Sequence, residues 1–323
     1  MQANIRRFGG NPNAVTVIGE SAGASSIAAQ LAAFGGITGS SPFKRAVLQS
    51  PAIRPATDAA VYAQVYQQFL SVAGVSSMSA ARNLPTAQLQ GVNAAMVAAS
   101  SFGHFTFGPN IDGLLMPDYL TRALNKGRVD RSVEVIAAYN AAEGLLFTDP
   151  RIQNDTGFEA YFSGLMPSMP AAKIHALSTT VYPGDFSGAQ PYTTQTQRVT
   201  LAVSEALVLC NAFGTHTAYA NKTRAYLFSV RPGVHGQDVY YTFFAGRATD
   251  SFGLPIDASI AVSMQRFVAD FVTAGTAAGS SAAQIPVYTA QANTLNITNA
   301  GSAVVTDPAA NARCKFWIEG LYA

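Results

Sequence analysis

Residues 16–26 read TVIGESAGASS, and the fold turns on how they are read. The β-branched apolar run AVTVIG (14–19) stops abruptly at Gly19-Glu20-Ser21-Ala22-Gly23, and small residues follow where a helix can begin. A short run of this kind suits a strand buried on both faces. Gly-x-Ser-x-Gly between such a strand and a helix is a nucleophile elbow, in which the serine sits on a strained turn. Strand and helix press against that turn, so Gly19 and Gly23 are both expected to be glycine for steric reasons. The turn lifts the Ser21 hydroxyl above the sheet. It also aims the first N–H groups of the helix, that of Ala22 among them, at a developing oxyanion. The motif alone arises by chance in roughly one chain in ten of this length, so its weight comes from the flanking strand and helix.

Outward from this stretch the chain alternates. SIAAQLAAFGG (26–36) predicts a helix closed by glycines, and RAVLQS (45–50) a second strand. ATDAAVYAQVYQQFLSVAG (56–74) has helical spacing and a glycine stop. SVEVIAAYN (132–140) and TRAYLFSV (223–230) predict third and fourth strands, and SIAVSMQRFVADFVTAG (259–275) an amphipathic helix. Strands alternating with helices place the chain in the α/β class, as a single domain over residues 1–323 around a parallel or mixed sheet. Residues 150–200 read as a loop and helix excursion over that sheet. Residues 276–310, poor in charge and rich in Ala, Thr and Asn, read as an irregular surface segment.

Composition narrows the function classes. The 323 residues are 49% hydrophobic and 12% charged with a net charge of +2, and the nearest approach to a basic cluster is Arg6-Arg7. Nucleic acid is therefore not an expected partner. No apolar run approaches 18 residues, so no transmembrane segment is expected. MQANIRRFGGNPNAV, at the start, lacks the apolar core of a signal peptide. Sequons at Asn154, Asn221 and Asn296 hint at secretion. Cys210 and Cys314 allow one disulfide or two buried thiols. Neither metal-ligand spacing nor a phosphate-cradling glycine loop is present, so neither a metal nor an organic cofactor is expected.

A serine nucleophile needs a base, and the base needs an orienting carboxylate, in the chain order Ser, acid, His for this elbow. His175 and His216 lie in helix-like stretches that suit surface or packing roles. His104, in SSFGHFTFG, sits among aromatics as a partly buried, satisfied histidine. His235, in RPGVHGQD, occupies a glycine-flanked loop directly after a predicted strand, where a base can reach over Ser21. Among the carboxylates, Glu143 follows the strand 132–140 and precedes Gly144. Asp112, in PNIDGLLMP, is a rival that also reads as a simple turn.

Several segments, in order, resemble the type-B carboxylesterase family, which includes cholinesterases and many fungal lipases and esterases. NIRRFGGNPNAVTVIGESAGASS is similar to its nucleophile segment, FKRAVLQS to a following strand and FGPNIDGLLMP to a family turn. NAAEGLLF resembles the segment carrying the family's glutamate, GVHGQD the one carrying its histidine, and CKFWIEGLY its closing stretch. The resemblance spans essentially the whole chain. It implies an α/β-hydrolase fold and a secreted serine ester hydrolase or lipase, acting on small-molecule or lipid esters through an acyl-enzyme. Ser21 would be the nucleophile, His235 the base and Glu143 the carboxylate. Ala22 would bind the oxyanion, and Ser50 would stand behind the glutamate. Cys210 and Cys314 match a family disulfide, whose 104-residue loop would contribute roughly 4–5 kcal/mol in the chain-entropy model.

The sequence also departs from that pattern. Val75 and Ala80 stand where the family often has a cysteine pair, and Pro51 where it usually has glycine. Ser21 lies far nearer the start than in the family. The fold is therefore expected to be incomplete at its N-terminal end, lacking the glycine-rich segment that completes the oxyanion hole, and the chain to be poorly stable and weakly active. The oligomeric state is not legible.

Overall fold

The computed structural model describes residues 1–54, 59–275 and 285–319. Six strands form one sheet in chain order: β1 (Thr16–Glu20), β2 (Arg45–Gln49), β3 (Glu134–Asn140), β4 (Arg224–Phe228), β5 (Asn293–Thr298) and β6 (Gly301–Thr306). The first five run parallel and β6 is antiparallel to β5. Every predicted strand is present, so the α/β reading holds.

The pleat sorts the side chains into two cores. Ala46, Leu48, Val135, Ala137, Tyr139, Ala225 and Leu227 point to one face. There they meet helix α1 (Ala22–Leu31) and the long helical region between residues 155 and 218. Val47, Ile136, Ala138, Tyr226 and Phe228 point to the other face, against the helix Ala258–Ala274 through Ala261, Met264, Phe267 and Phe271. Helices on both faces are what near-continuous apolar strands require. The helix Ala59–Ala73 lies beside Thr86–Ala98 over a small cluster of Ala73, Val92 and Met96. Residues 56–58 of the predicted helix lie outside the described residues.

The region 150–200 is more helical than its composition indicates. It contains helices at Asp155–Leu165 and Ala171–Ala176, then the start of a helix that continues through a π-turn at Glu205–Leu209 to Ala218. That continuous helix, Gln195–Ala218, is long and apolar enough to cross a membrane by length and composition, whereas no uninterrupted apolar run had suggested one. In the fold 89% of its most apolar window is buried, which makes it a core helix here. A disulfide joins Cys210 on it to Cys314 on the helix Ala312–Ile318. Trp317, one turn on, stacks on Phe162 and donates to the Tyr182 hydroxyl at 2.8 Å.

One expectation is overturned. The described part of the segment 276–310, from residue 285, contains the hairpin of β5 and β6 and is not irregular; residues 276–284 lie outside the described residues. Asn and Thr interrupt the apolar alternation in NTLNIT, which conceals the strand, while its β-branched residues still suit a pleated surface. Leu295 and Ile297 are buried against β4.

Candidate active site

At the C-terminal end of β1 the chain turns sharply. Ser21 has φ 55° and ψ −117°, a conformation that costs a non-glycine residue on the order of 1–3 kcal/mol. Its N–H donates to the Gln49 carbonyl at 3.0 Å, tying the turn to β2, and α1 starts at the next residue. Its hydroxyl makes no capping bond to that helix. The two motif glycines differ. A Cβ on Gly19 would fall 2.5 Å from the backbone carbon of Gly23, so glycine is required there. A Cβ on Gly23 would meet no atom within 4 Å, which corrects the expectation that both positions are sterically closed. Nothing among the described residues presses on Gly23. Ala22 opens α1, and its amide belongs to the first turn, where helical N–H groups have no intrahelical acceptor.

The neighbouring strand ends the same way. Ser50, immediately after β2, also has a positive φ of 51°, and it is fully buried. Its Oγ donates to Glu143 Oε1 at 2.6 Å and accepts from Asn140 Nδ2 at 3.0 Å. Glu143 opens a 3₁₀ turn (Glu143–Leu146) just past β3 and is completely buried. Gly144 lets that turn sit against the long helix, since a Cβ there would lie 2.3 Å from the Thr200 carbonyl oxygen. The loop after β4 runs alongside. Ala142 bridges to Val234, and its N–H donates to the Gly233 carbonyl at 2.7 Å. The Gln237 side-chain carbonyl accepts from the Gly233 and Val234 amides at 2.8 and 3.2 Å. Held in this way, His235 hydrogen-bonds through Nδ1 to Glu143 Oε2. The Phe147 ring packs edge-on against the imidazole, 5.1 Å between centroids.

The other imidazole nitrogen faces a residue that sequence reasoning passed over. His235 Nε2 lies 3.2 Å from Glu20 Oε1, close enough for an ion pair when the ring is charged, although neither atom has an aligned hydrogen-bond partner among the described residues. No hydrogen bond joins Ser21 Oγ to His235 among the described residues. Behind this group sits a second carboxylate that was missed, Asp238, which accepts from Tyr226 at 2.7 Å, Gln49 at 3.0 Å and Asn140 at 3.1 Å. Both stand in stretches already singled out, Glu20 beside Ser21 and Asp238 three residues after His235. What was missing was any sign that strand ends would bring them together.

Three carboxylates therefore surround one imidazole. Burial pushes Glu20 up to about 7; the His235 charge opposes that, and the Asp238 and Glu143 charges add to it. Burial acts to lower the His235 pKa. The hydrogen bond and charge of Glu143, then the charges of Glu20 and Asp238, outweigh burial and raise it. Burial also raises Asp238, against its bonds from Tyr226 and Asn140. The arrangement favours a protonated imidazole, the state a general base must reach after taking a proton.

The remaining candidates lie elsewhere. Asp112 accepts from the Leu114 and Met116 amides at 2.9 and 2.8 Å, which makes it a turn residue. His104 packs on Tyr161, as a partly buried histidine among aromatics should, and its Nε2 has no side-chain hydrogen-bond partner among the described residues. His175 is exposed and bonded to Glu159 at 2.9 Å. His216 is fully buried, bonded to Thr223 and stacked on Tyr288. Among the described residues no group of three or more His, Cys, Asp or Glu side chains is placed to hold a metal ion.

Beside Ser21 opens a cavity of about 460 Å³, within the range of small-molecule sites. Ser21 and Ala22 form one side, and Ile53, Tyr62, Phe105 and Met116 give it a largely apolar wall.

A model of the carboxylesterase family matches residues 1–317. The chain belongs to the carboxylesterase family. Among curated relatives it is 34% identical over 318 residues to the carboxylesterase patB of Penicillium expansum, covering 98% of this chain and 56% of that protein. It is 26% identical over 283 residues to the inactive carboxylesterase-like protein VdtD of Byssochlamys spectabilis, covering 74% of this chain and 48% of that one. This carboxylesterase-family chain thus spans about half the length of the curated relatives it matches. Aspergillus niger EstA superposes on 98% of the chain with a TM-score of 0.80 and 21% identity, the match covering 66% of EstA. The fold is that of the α/β hydrolases, mixed-sheeted and flanked by helices.

Proposed function

We propose that this chain carries the catalytic centre of a serine carboxylic-ester hydrolase. Ser21 would be the nucleophile, His235 the general base and acid, and Glu143 the orienting carboxylate. One observation supports this most. The strained turn at Ser21, the buried Glu143 and the His235 that Glu143 holds through Nδ1 follow the same ends of β1, β3 and β4 in the parallel part of one sheet. Family membership agrees with it.

In this reading the Nδ1 bond to Glu143 fixes the tautomer, leaving Nε2 to receive the Ser21 proton. Ser21 Oγ attacks the ester carbonyl while its proton passes to Nε2. The tetrahedral oxyanion is met by the Ala22 N–H. Collapse expels the alcohol, which takes the proton back from Nε2. Water, deprotonated by the same nitrogen, then attacks the acyl-enzyme and releases the acid. Ser50 and Asn140 hold Glu143 in place, and the chemistry draws on neither a metal nor an organic cofactor. The reading requires the Ser21 hydroxyl to come within hydrogen-bond reach of Nε2, and bonds of this kind often tighten only once substrate is bound. The disulfide fits an oxidising compartment, so secretion belongs to the same proposal.

Fluorophosphonate labelling of the chain, with Ser21→Ala as the control, tests the reading. Labelling that disappears in Ser21→Ala supports it. A folded chain that takes up no label, or labels equally with alanine at position 21, overturns it in favour of a non-catalytic role such as the name of VdtD describes. Turnover of emulsified triglyceride compared with short soluble esters separates lipase from esterase action.

A further inference from the structure

Three sequons stand in the chain, and the ester-hydrolase reading uses none of them: Asn154-Asp155-Thr156, Asn221-Lys222-Thr223 and Asn296-Ile297-Thr298. An N-linked oligosaccharide is bulky and hydrated, so in a folded protein it must leave from a surface segment. The three sites meet that condition differently.

Asn296 is in the middle of β5, paired on one side with Leu227 of β4 and on the other with Ala303 of β6. Its Oδ1 is buried, and Ile297 beside it belongs to the core. A sugar there would grow from a side chain whose amide is partly enclosed by the sheet. Asn221 lies just past the long helix with φ 59°, and its N–H donates to the His216 carbonyl at 2.9 Å. The hydroxyl that completes its sequon is not presented: Thr223 is buried, its Oγ1 bonded to His216 Nδ1 and its carbonyl accepting from the Tyr288 N–H at 2.7 Å.

Asn154 differs from both. It and the two residues after it are exposed among the described residues. It is the N-cap of the helix Asp155–Leu165, where its Oδ1 accepts from the Gly157 N–H at 2.8 Å. The cap uses the amide oxygen alone. The amide nitrogen, the atom a sugar takes, has no hydrogen-bond partner among the described residues. The backbone is held as well: Gln195 Nε2 donates to the Asn154 carbonyl at 3.2 Å, and the buried Arg198 pairs with Asp155 at 2.6 Å. Capping and sugar attachment are therefore compatible on one side chain.

We propose that Asn154 is the acceptor of an N-linked oligosaccharide, and that Asn221 and Asn296 stay bare in the folded protein. This rests on the secretion reading and is independent of the hydrolase reading. The donor is an oligosaccharide carried on a lipid pyrophosphate. Asn154 Nδ2 bonds to the anomeric carbon of the first sugar, the bond from that carbon to the pyrophosphate oxygen breaks, and the lipid pyrophosphate leaves with the electron pair. Nδ2 gives up one proton to a base of the transferase.

The test expresses the chain in a eukaryotic host behind a secretion leader and reads the secreted, folded fraction by glycopeptide mass spectrometry. Sugar on Asn154, with Asn221 and Asn296 bare, is expected. Thr156→Ala keeps the cap and breaks the sequon, and Asn154→Asp keeps a capping oxygen without the acceptor nitrogen. Each should abolish the glycan shift on a gel. A bare Asn154, or sugar on Asn221 or Asn296 in the folded fraction, overturns the assignment. If the chain is held in the cell, its translocated fraction is read instead: sugar on Asn154 supports the assignment, and a bare Asn154 overturns it. The secretion reading is checked separately, on protein from its own cells. Absence of sugar there, beside sugar on Asn154 in the leader-borne chain, defeats the secretion reading and leaves the assignment of the acceptor supported.

Discussion

The two sides of the candidate site are built differently. On the His235 side, Glu143, Asp238, Ser50, Asn140 and Gln49 are almost entirely buried, and hydrogen bonds link them across the ends of β2, β3 and β4, with only Gln49 Oε1 and Asn140 Oδ1 left without a partner among the described residues. On the Ser21 side, the residues of β1 are half-buried, and a Cβ on Gly23 would meet no atom within 4 Å among the described residues. The difference teaches that, among the described residues, His235 and Glu143 are set by a buried polar network, whereas the turn at Ser21 is set by its backbone. A buried polar network holds one geometry because any unpaired member is costly there. The half-exposed turn is held by the close packing at Gly19 and by backbone hydrogen bonds, from the Ser21 N–H to the Gln49 carbonyl and from the Ala52 N–H to the Ser21 carbonyl.

The sharpest way to break the comparison is Glu143→Gln. The amide keeps the size but not the charge or the acceptor that fixes the His235 tautomer. Turnover of a soluble ester should fall by a factor on the order of 10⁴, with circular dichroism unchanged. A loss below tenfold would show that the buried side does not control the reaction.

The two elbow glycines give a smaller effect with a built-in control. Gly19→Ala forces a methyl group into the Gly23 backbone and should destabilise by about 1–3 kcal/mol in urea unfolding. Gly23→Ala should change stability by no more than about 0.5 kcal/mol, or raise it slightly, because alanine suits a helix better than glycine. Equal costs at the two positions would mean that Gly23 is packed after all, and the contrast between the sides would narrow.

The smallest effect is a pH dependence. Folding raises Glu20 from 4.5 to about 7, so the folded state holds that proton longer than the unfolded state does. Its contribution is therefore fully present below pH 4.5 and is lost as pH rises through 7. Glu20→Gln should gain stability relative to the parent at pH 8 and show no such gain at pH 4, as denaturant midpoints at the two values will show. The same change removes a charge that raises His235, so the acidic limb of kcat/KM should move to lower pH. A limb that stays in place would separate Glu20 from the imidazole it faces.

Much of this was legible in sequence because its causes are local. Alternating runs gave the first four strands, since a strand buried on both faces must be apolar almost throughout. Gly19-Glu20-Ser21-Ala22-Gly23 gave the elbow, because a strained serine between strand and helix constrains its neighbours. The β5–β6 hairpin was not legible, because Thr and Asn interrupted its alternation. Residues 150–200 looked looser than they are, because Pro and Gly punctuate helices that tertiary packing nevertheless sustains.

By itself the sequence determined the α/β class, the position of the elbow and the short set of histidines and acids from which a base and its partner must come. These follow from periodicity and from the chemistry of single residues. Only the tertiary structure decided which members of that set meet. Glu143, Ser50, Asp238 and His235 come from three loops 50 to 238 residues along the chain, and parallel pairing alone brings those strand ends side by side. It also decided that Glu20, adjacent in sequence to Ser21, faces the imidazole. Register, burial and field are properties of chain segments brought together, and no local pattern encodes them.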